Sequence, residues 1–90
     1  MLKVDFGKGF NQQYKKLVAD KEELKTLINS KIDIFRKNSD DTRLRSHALH
    51  KHLTGKCAFS ITDNIRIVYE CLGENTVRFL AIGTHKEVYN

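Results

Sequence analysis

The 90-residue sequence contains no proline and no tryptophan, and only two cysteines, Cys57 and Cys71. Two cysteines do not make a disulfide framework. Both fall in apolar strand-like patterns, where a free buried thiol behaves as a small hydrophobic side chain. No apolar run approaches the roughly 20 residues of a membrane-spanning helix, and residues 1–5 lack the apolar segment of a signal peptide. We therefore expect a cytoplasmic protein.

Common catalytic motifs are also missing. The sequence has no P-loop and no G-x-G-x-x-G, H-E-x-x-H or G-x-S-x-G motif. It does have an excess of positive charge, with 16 Lys and Arg against 11 Asp and Glu, for a net charge of +5. This excess favours a polyanionic partner, which could be nucleic acid, an acidic protein or an anionic membrane surface. A soluble domain that is merely basic fits the charge equally well.

The length and the residue pattern predict a single α+β domain over residues 1–90, because a chain this short buries one modest core. Alternation over residues 2–6 predicts a short strand. Apolar residues at helical spacing then predict two helices in an antiparallel hairpin. Asp20 and Glu23 have the spacing of a capping box that would begin the second helix.

Three strands are predicted after Gly55, over residues 56–62, 65–71 and 76–82, with connections short enough to make them antiparallel. The element order is β-α-α-β-β-β, with the helix hairpin packed on one face of an antiparallel sheet. The opposite face is expected to be open and polar, with Arg66 in the middle strand. The predicted inner face carries Cys57, Phe59, Ile61, Ile65, Ile67, Tyr69, Cys71, Val77, Phe79 and Ala81.

Histidines are concentrated in the polar segment before Gly55. The spacing of His47, His50, His52 and Cys57 matches no standard zinc pattern, so a structural metal is not expected. A histidine with a near-neutral pKa can instead act as a general acid or base. A set of surface histidines without such a role fits the spacing as well.

Arg66 and His85 are more specific candidates for functional residues. A guanidinium held on a rigid strand suits a bidentate contact with phosphate, although the spacing alone favours an ion pair of Arg66 with Glu70 or Asp63, or plain solvation. His85 follows Gly83 at the end of an apolar strand, where a side chain can project over a sheet face. A positive floor for a phosphate backbone would form if the basic residues converged on one side of the sheet. These residues are Lys51, Lys56, Arg66, Arg78 and Lys86, together with Arg43 and Arg45.

The element order resembles that of the RelE/ParE superfamily of toxins from bacterial type II toxin–antitoxin systems, and most of all its RelE and YafQ branch. The resemblance is carried by three motifs: L-x-G at residues 53–55, R-I-V-Y at residues 66–69, and G-T-H at residues 83–85 followed by Tyr89. It covers essentially the whole chain and is most specific in the C-terminal half.

The resemblance implies a ribosome-dependent, metal-independent endoribonuclease that cuts mRNA without a cofactor. In such enzymes the 2′-OH attacks the adjacent phosphate and the 5′-oxygen leaves, which requires a base, an acid and cations. Arg66 would stabilise the phosphorane, and His85 would be an acid or base. Tyr89 would stack on or orient the substrate base and, as in some members, share the acid–base work. One of His50, Lys51 and His52 would supply a further contact. The implied catalytic residues are thus His85, Arg66, Tyr89, His50 and His52, and the implied RNA contacts are Lys51, Lys56 and Arg78.

The resemblance also implies a cognate antitoxin, often acidic in its C-terminal part, as the protein partner. One departure is Ala81, where YafQ-type members carry a second arginine; Arg78 lies on the same strand but is not a direct replacement. Two alternatives therefore remain open. One is a ParE-like inhibitor of DNA gyrase on the same fold, and the other is a non-toxic relative.

Overall fold

The computed structural model describes residues 1–49 and 53–89, the last of these as backbone only. Residues 1–49 and 53–89 include five strands, three helices and the 3₁₀ turn at Thr42–Leu44. In order these are β1 (Lys3–Phe6), α1 (Lys8–Val18), α2 (Glu22–Lys37), the 3₁₀ turn (Thr42–Leu44), β2 (His47–Ala48), β3 (Cys57–Ser60), β4 (Ile65–Cys71), β5 (Thr76–Thr84) and α3 (His85–Tyr89).

The strands form one sheet in the order β1-β5-β4-β3-β2. The predicted meander is confirmed, because β4 pairs antiparallel with β3 on one side and with β5 on the other. Short turns allow only this antiparallel pairing. The strand β1 joins β5 in parallel, since the helix hairpin carries the chain across the sheet before the meander begins. The α+β class and the β-α-α-β-β-β series are therefore as predicted. The sheet is mixed, and the two-residue strand β2 and the helix α3 are additions to the predicted series.

The main core lies between the helices and one face of the sheet. Phe10, Ile28 and Phe35 from the helices meet Phe59 and Phe79 from the strands, and all five are buried. The ring of Phe35 stacks on that of Phe59 with centroids 4.5 Å apart. Each such side chain contributes about 1.5–3 kcal/mol when fully buried, so this aromatic cluster fixes the helices on the sheet.

A β-bulge between β4 and β5 changes which residues face this core. Val68 pairs with Ala81 but Tyr69 pairs with Phe79, so Leu80 is an extra residue on β5. Ile82 consequently enters the main core, and Ala81 belongs to an apolar cluster on the opposite face. The prediction that Ala81 faces inward was wrong, because strict alternation along a strand fails where a bulge inserts one residue.

Two smaller predictions were also wrong. Asp20 does not cap α2; it adopts a left-handed conformation with φ of 58° in the turn between the helices, and the N-cap position is Lys21. Aspartate tolerates this conformation better than most residues. Cys71 is exposed at the end of β4, while Cys57 is half-buried and packs against the main core.

Among the described residues, no helix is long and apolar enough to cross a membrane.

Candidate active site

The second face of the sheet carries a small apolar cluster of its own. Leu49, Ala58, Val68 and Val88 are buried there, with Leu53, Leu80 and Ala81 packed around them. Val88 comes from α3, which folds back over β4 and β5. The prediction of a fully open polar face was therefore wrong for this half of the sheet. The polar part of the face lies beside the cluster, around Arg66.

Gly83 explains how α3 can lie against the sheet. A Cβ atom at this position would come within 3.0 Å of the Glu87 carboxylate oxygen Oε1 and within 3.5 Å of a Val88 methyl group. The residue is also the β5 partner of Arg66. The glycine of the G-T-H sequence thus makes room for the helix that begins two residues later.

A capping box fixes the start of α3. The Thr84 N–H donates to Glu87 Oε1 at 2.9 Å, and the Glu87 N–H donates to Thr84 Oγ1 at 3.3 Å. This reciprocal pair satisfies two otherwise unpaired helix donors. The hydrogen bond from the Thr84 backbone, followed by that of its side chain, lowers the pKa of Glu87. His85 is therefore held as the first helical residue, with an exposed side chain.

Arg66 occupies the middle of the β3-β4-β5 ladder, between Ser60 and Gly83. Its Nη1 donates to the Thr62 carbonyl oxygen at 2.6 Å. Both carboxylates considered as its ion-pair partners are committed elsewhere: Glu70 pairs with Arg78, and Asp63 pairs with Arg45. Within residues 1–49 and 53–89, no carboxylate forms a salt bridge with Arg66, so this guanidinium is suited to an anionic ligand.

The turn between β3 and β4 brings Arg66 and His85 to the same end of the sheet. The His85 N–H donates to the Asn64 carbonyl oxygen at 2.9 Å, and Arg66 binds the Thr62 carbonyl two residues earlier. A cation and a titratable imidazole are thus anchored to one short turn. A phosphoryl transfer between oxygens requires groups of these two kinds.

A profile of the YafQ family, described as a bacterial toxin of a type II toxin–antitoxin system, matches residues 2–90. The chain belongs to this family. A search of curated proteins gave no match.

Solved structures support the same fold for this YafQ-family chain. A copper-bound mutant toxin from Helicobacter pylori is 24% identical, with 99% of this chain and 100% of that chain covered and a TM-score of 0.81. YafQ from E. coli is 14% identical over the full length of both chains, with a TM-score of 0.80. The toxin in the E. coli DinJ–YafQ complex is 15% identical, again with full coverage of both chains, and has a TM-score of 0.78. At these identities the likeness concerns the fold.

Arg78 and Lys56 lie away from the Arg66 turn in this YafQ-family member. Arg78 Nε binds Asp5 Oδ2 at 2.8 Å, and its Nη1 lies 3.7 Å from Glu70 Oε1. These two carboxylates raise the pKa of Arg78, with the Asp5 hydrogen bond as the larger cause. Lys56 is half-buried directly before β3. Their predicted roles as RNA contacts stay predictions, and the structure does not bring them to Arg66.

The remaining predicted residues can be placed only in part. His50, Lys51 and His52 lie outside the described residues. The chain on either side of them is anchored in the second apolar cluster, at Leu49 and Leu53. Tyr89 ends α3, and its side chain also lies outside the described part.

Two members of the candidate histidine and cysteine cluster, His47 and Cys57, lie on opposite faces of the sheet. His47 pairs with Ala58 on the second face, whereas the neighbouring Cys57 packs against the main core. Within the described ranges, no three His, Cys, Asp or Glu side chains come together as a possible metal site.

Sequence reasoning missed α3 and its capping box. The signal was available, because Thr84 and Glu87 have the T-x-x-E spacing of such a box. The helix has only five residues, too few for apolar periodicity to reveal it after the strand predicted over residues 76–82. The capping pair fixes the histidine of the G-T-H sequence, His85, as the first residue of α3.

Proposed function

We propose that this YafQ-family toxin is a ribosome-dependent, metal-independent endoribonuclease that cuts mRNA and thereby inhibits translation. The observation that carries the proposal is the anchoring of Arg66 and His85 to one turn, with no carboxylate among the described residues neutralising Arg66. The net charge of +5 is consistent with a nucleic-acid substrate.

In the proposed reaction, the 2′-oxygen of one nucleotide attacks the adjacent phosphorus and the bond to the 5′-oxygen breaks. The products are a 2′,3′-cyclic phosphate and a 5′-hydroxyl end, and no cofactor is consumed. Arg66 stabilises the extra negative charge on the phosphorane. His85 transfers a proton, either from the 2′-OH or to the leaving 5′-oxygen.

The second proton-transfer group is one of the other predicted catalytic residues. His50, His52 and Tyr89 are the candidates, and Lys51 is a candidate for a phosphate contact. In the sequence, residues 50–52 connect Leu49 to Leu53, and Tyr89 follows Val88; Leu49, Leu53 and Val88 all belong to the second apolar cluster.

We further propose that the protein acts in the cytoplasm and is held inactive there by a cognate antitoxin. The E. coli YafQ structure in complex with DinJ is a precedent for such a partner on this fold. An acidic segment of the antitoxin would be attracted to a toxin of net charge +5.

The test is induced expression in bacteria, with mapping of mRNA 5′ ends, and cleavage of mRNA on purified ribosomes by the isolated toxin. Wild type should arrest growth and produce new 5′-hydroxyl ends. His85→Ala should lower the cleavage rate by about 10²–10⁴-fold, the usual contribution of a general acid or base. Lys86→Ala is the control, because Lys86 is the adjacent exposed residue of α3.

Arg66→Ala should also abolish cleavage. Arg36→Ala is its matched control, since Arg36 likewise donates to a backbone carbonyl, that of Leu2 at 3.2 Å, but belongs to α2. Growth arrest with intact transcripts would contradict the nuclease and favour a gyrase inhibitor. Absence of both growth arrest and cleavage would identify a non-toxic relative.

A further inference from the structure

We propose that Arg45 is a second phosphate-binding cation of this site, in place of the arginine that Ala81 does not supply. The inference rests on the proposed function in taking RNA as the ligand. Ala81 lies in the second apolar cluster, where no cation is provided at that position. Arg45 reaches the same end of the sheet from a different part of the chain.

Arg45 has an unusual backbone conformation. Arg45 ends the 3₁₀ turn in a left-handed conformation with φ of 50°, and its N–H donates to the Thr42 carbonyl oxygen at 3.2 Å. The preceding residue, Leu44, is fully buried in the main core. Few non-glycine residues adopt a positive φ, so this turn directs the arginine away from the path of a regular strand.

The side chain of Arg45 crosses to the turn between β3 and β4. Its Nη2 donates to Asp63 Oδ1 at 2.9 Å. The ion pair is open to solvent, with 55% of the Arg45 side chain and 96% of the Asp63 side chain exposed. Such exposed pairs contribute about 0–1 kcal/mol. A phosphate, which a guanidinium binds in bidentate fashion, can therefore replace the carboxylate.

Three consecutive residues of this turn each hold one group of the site. Thr62 binds the guanidinium of Arg66, Asp63 binds that of Arg45, and Asn64 binds the backbone of His85. The Cα atoms of neighbouring residues are about 3.8 Å apart. Two guanidinium groups are thus anchored to adjacent residues of one turn, and each is a cation of the kind that binds a phosphate backbone.

Arg43, by contrast, forms its ion pair within its own turn. It binds Asp41 through two side-chain hydrogen bonds, at 3.0 and 2.8 Å, and Asp41 is two residues away in sequence. These bonds, followed by one from the Arg43 backbone, lower the pKa of Asp41 to about 2. Arg43 has the same charge as Arg45 but is bound within its own turn, so it serves as the matched control.

The experiment measures binding of a single-stranded oligoribonucleotide that is 2′-O-methylated and therefore cannot be cleaved. Arg45→Asn removes the guanidinium while retaining a residue that tolerates the left-handed conformation. We expect it to weaken binding by about tenfold, the usual effect of losing a charged hydrogen-bond partner. The slope of log affinity against log salt concentration should fall by about 0.7, the value for one single-strand phosphate contact. Arg43→Asn should leave both quantities within about twofold of wild type, as expected for a residue outside the contact.

Asp63→Asn separates a binding role from a structural role for the ion pair. If Arg45 binds phosphate, removing the competing carboxylate should leave affinity unchanged or increase it. If the pair only braces the turn, Asp63→Asn should weaken binding and lower the unfolding temperature as much as Arg45→Asn does. That second result would overturn the inference. So would equal losses in the Arg43 and Arg45 variants, or no binding by wild type at low salt.

The readout also separates this inference from the proposed nuclease function. Binding is measured without cleavage, and mRNA cleavage is measured independently. If wild type binds through Arg45 while transcripts in cells stay intact, the nuclease proposal fails and the assignment of Arg45 stands. If transcripts are cut but Arg45→Asn binds as wild type does, the nuclease stands and Arg45 is not part of the site.

Discussion

Replacing Thr84 with alanine tests whether the capping box positions His85. The change removes the Oγ1 atom that accepts from the Glu87 N–H at 3.3 Å, and it leaves the Thr84 backbone donor in place. The helix that follows has only five residues. A helix this short has little stability of its own, so its cap and the packing of Val88 hold it on the sheet.

The expected loss is about 1 kcal/mol of unfolding free energy, the typical cost of removing a Thr N-cap. For a domain of 60–100 residues, this lowers the melting temperature by about 4–8 °C. The cleavage rate should fall by more than the loss of folded protein explains. Without its cap, α3 frays from its N-terminus, and His85 is its first residue. Thr84→Ser, which retains the hydroxyl, should restore both properties.

Thermal denaturation followed by circular dichroism gives the stability, and cleavage on ribosomes, measured well below the melting temperature, gives the activity. Acid titration supplies an independent check. Because the folded pKa of Glu87 is lowered from 4.5, its contribution is complete above that value and is lost as pH falls through the folded pKa. Glu87→Gln retains the acceptor but should remove this part of the acid dependence.

If Thr84→Ala melts and cleaves as wild type does, the capping box does not position His85. If Thr84→Ser is as impaired as Thr84→Ala, the hydroxyl is not the group that caps the helix. A loss of stability with full cleavage activity would show that the cap stabilises the fold without positioning His85.

Three further predictions concern the fold. Gly7→Ala should be strongly destabilising in thermal denaturation, because the new Cβ would lie 2.7 Å from the Phe79 carbonyl oxygen; Gly73→Ala, with open space around it, is the control. Burial, with smaller contributions from neighbouring thiols, raises the pKa of Tyr69 from 10.0 to about 12. Wild type should therefore lose roughly 2 kcal/mol more stability than Tyr69→Phe in denaturant titrations between pH 10 and pH 12. Phe35→Ala should cost about 3–5 kcal/mol in the same titrations.

Much of the sheet was predictable from sequence because its strands alternate cleanly. Phe59 and Ile67 face the main core, and Arg66 lies on the other face of the middle strand, as alternation requires. The pattern failed at Ala81, where the bulge at Leu80 shifts the register by one residue. A bulge depends on how two strands pair. The residues of one strand do not determine its register with the partner strand.

The site was harder to predict because its contacts join distant segments. The sequence shows that Arg66 and Asp63 are close along the chain, which made an ion pair between them a reasonable alternative. It does not show that Asp63 instead forms its ion pair with Arg45. That pairing depends on a left-handed residue after a 3₁₀ turn, and on β2 adding to the edge of the sheet.

The arrangement around the β3–β4 turn has a consequence for how the site tolerates change. Thr62 and Asn64 bind Arg66 and His85 through their backbone carbonyls. The Thr62 hydroxyl also accepts from the Asn64 and Ile65 N–H groups, at 3.2 and 3.0 Å, so the Thr62 side chain shapes the turn as well. Asp63 contributes through its carboxylate, so its substitution changes only the group that holds Arg45. Among these three anchors, the ion pair of Arg45 is thus the only one that a side-chain substitution within the turn removes directly.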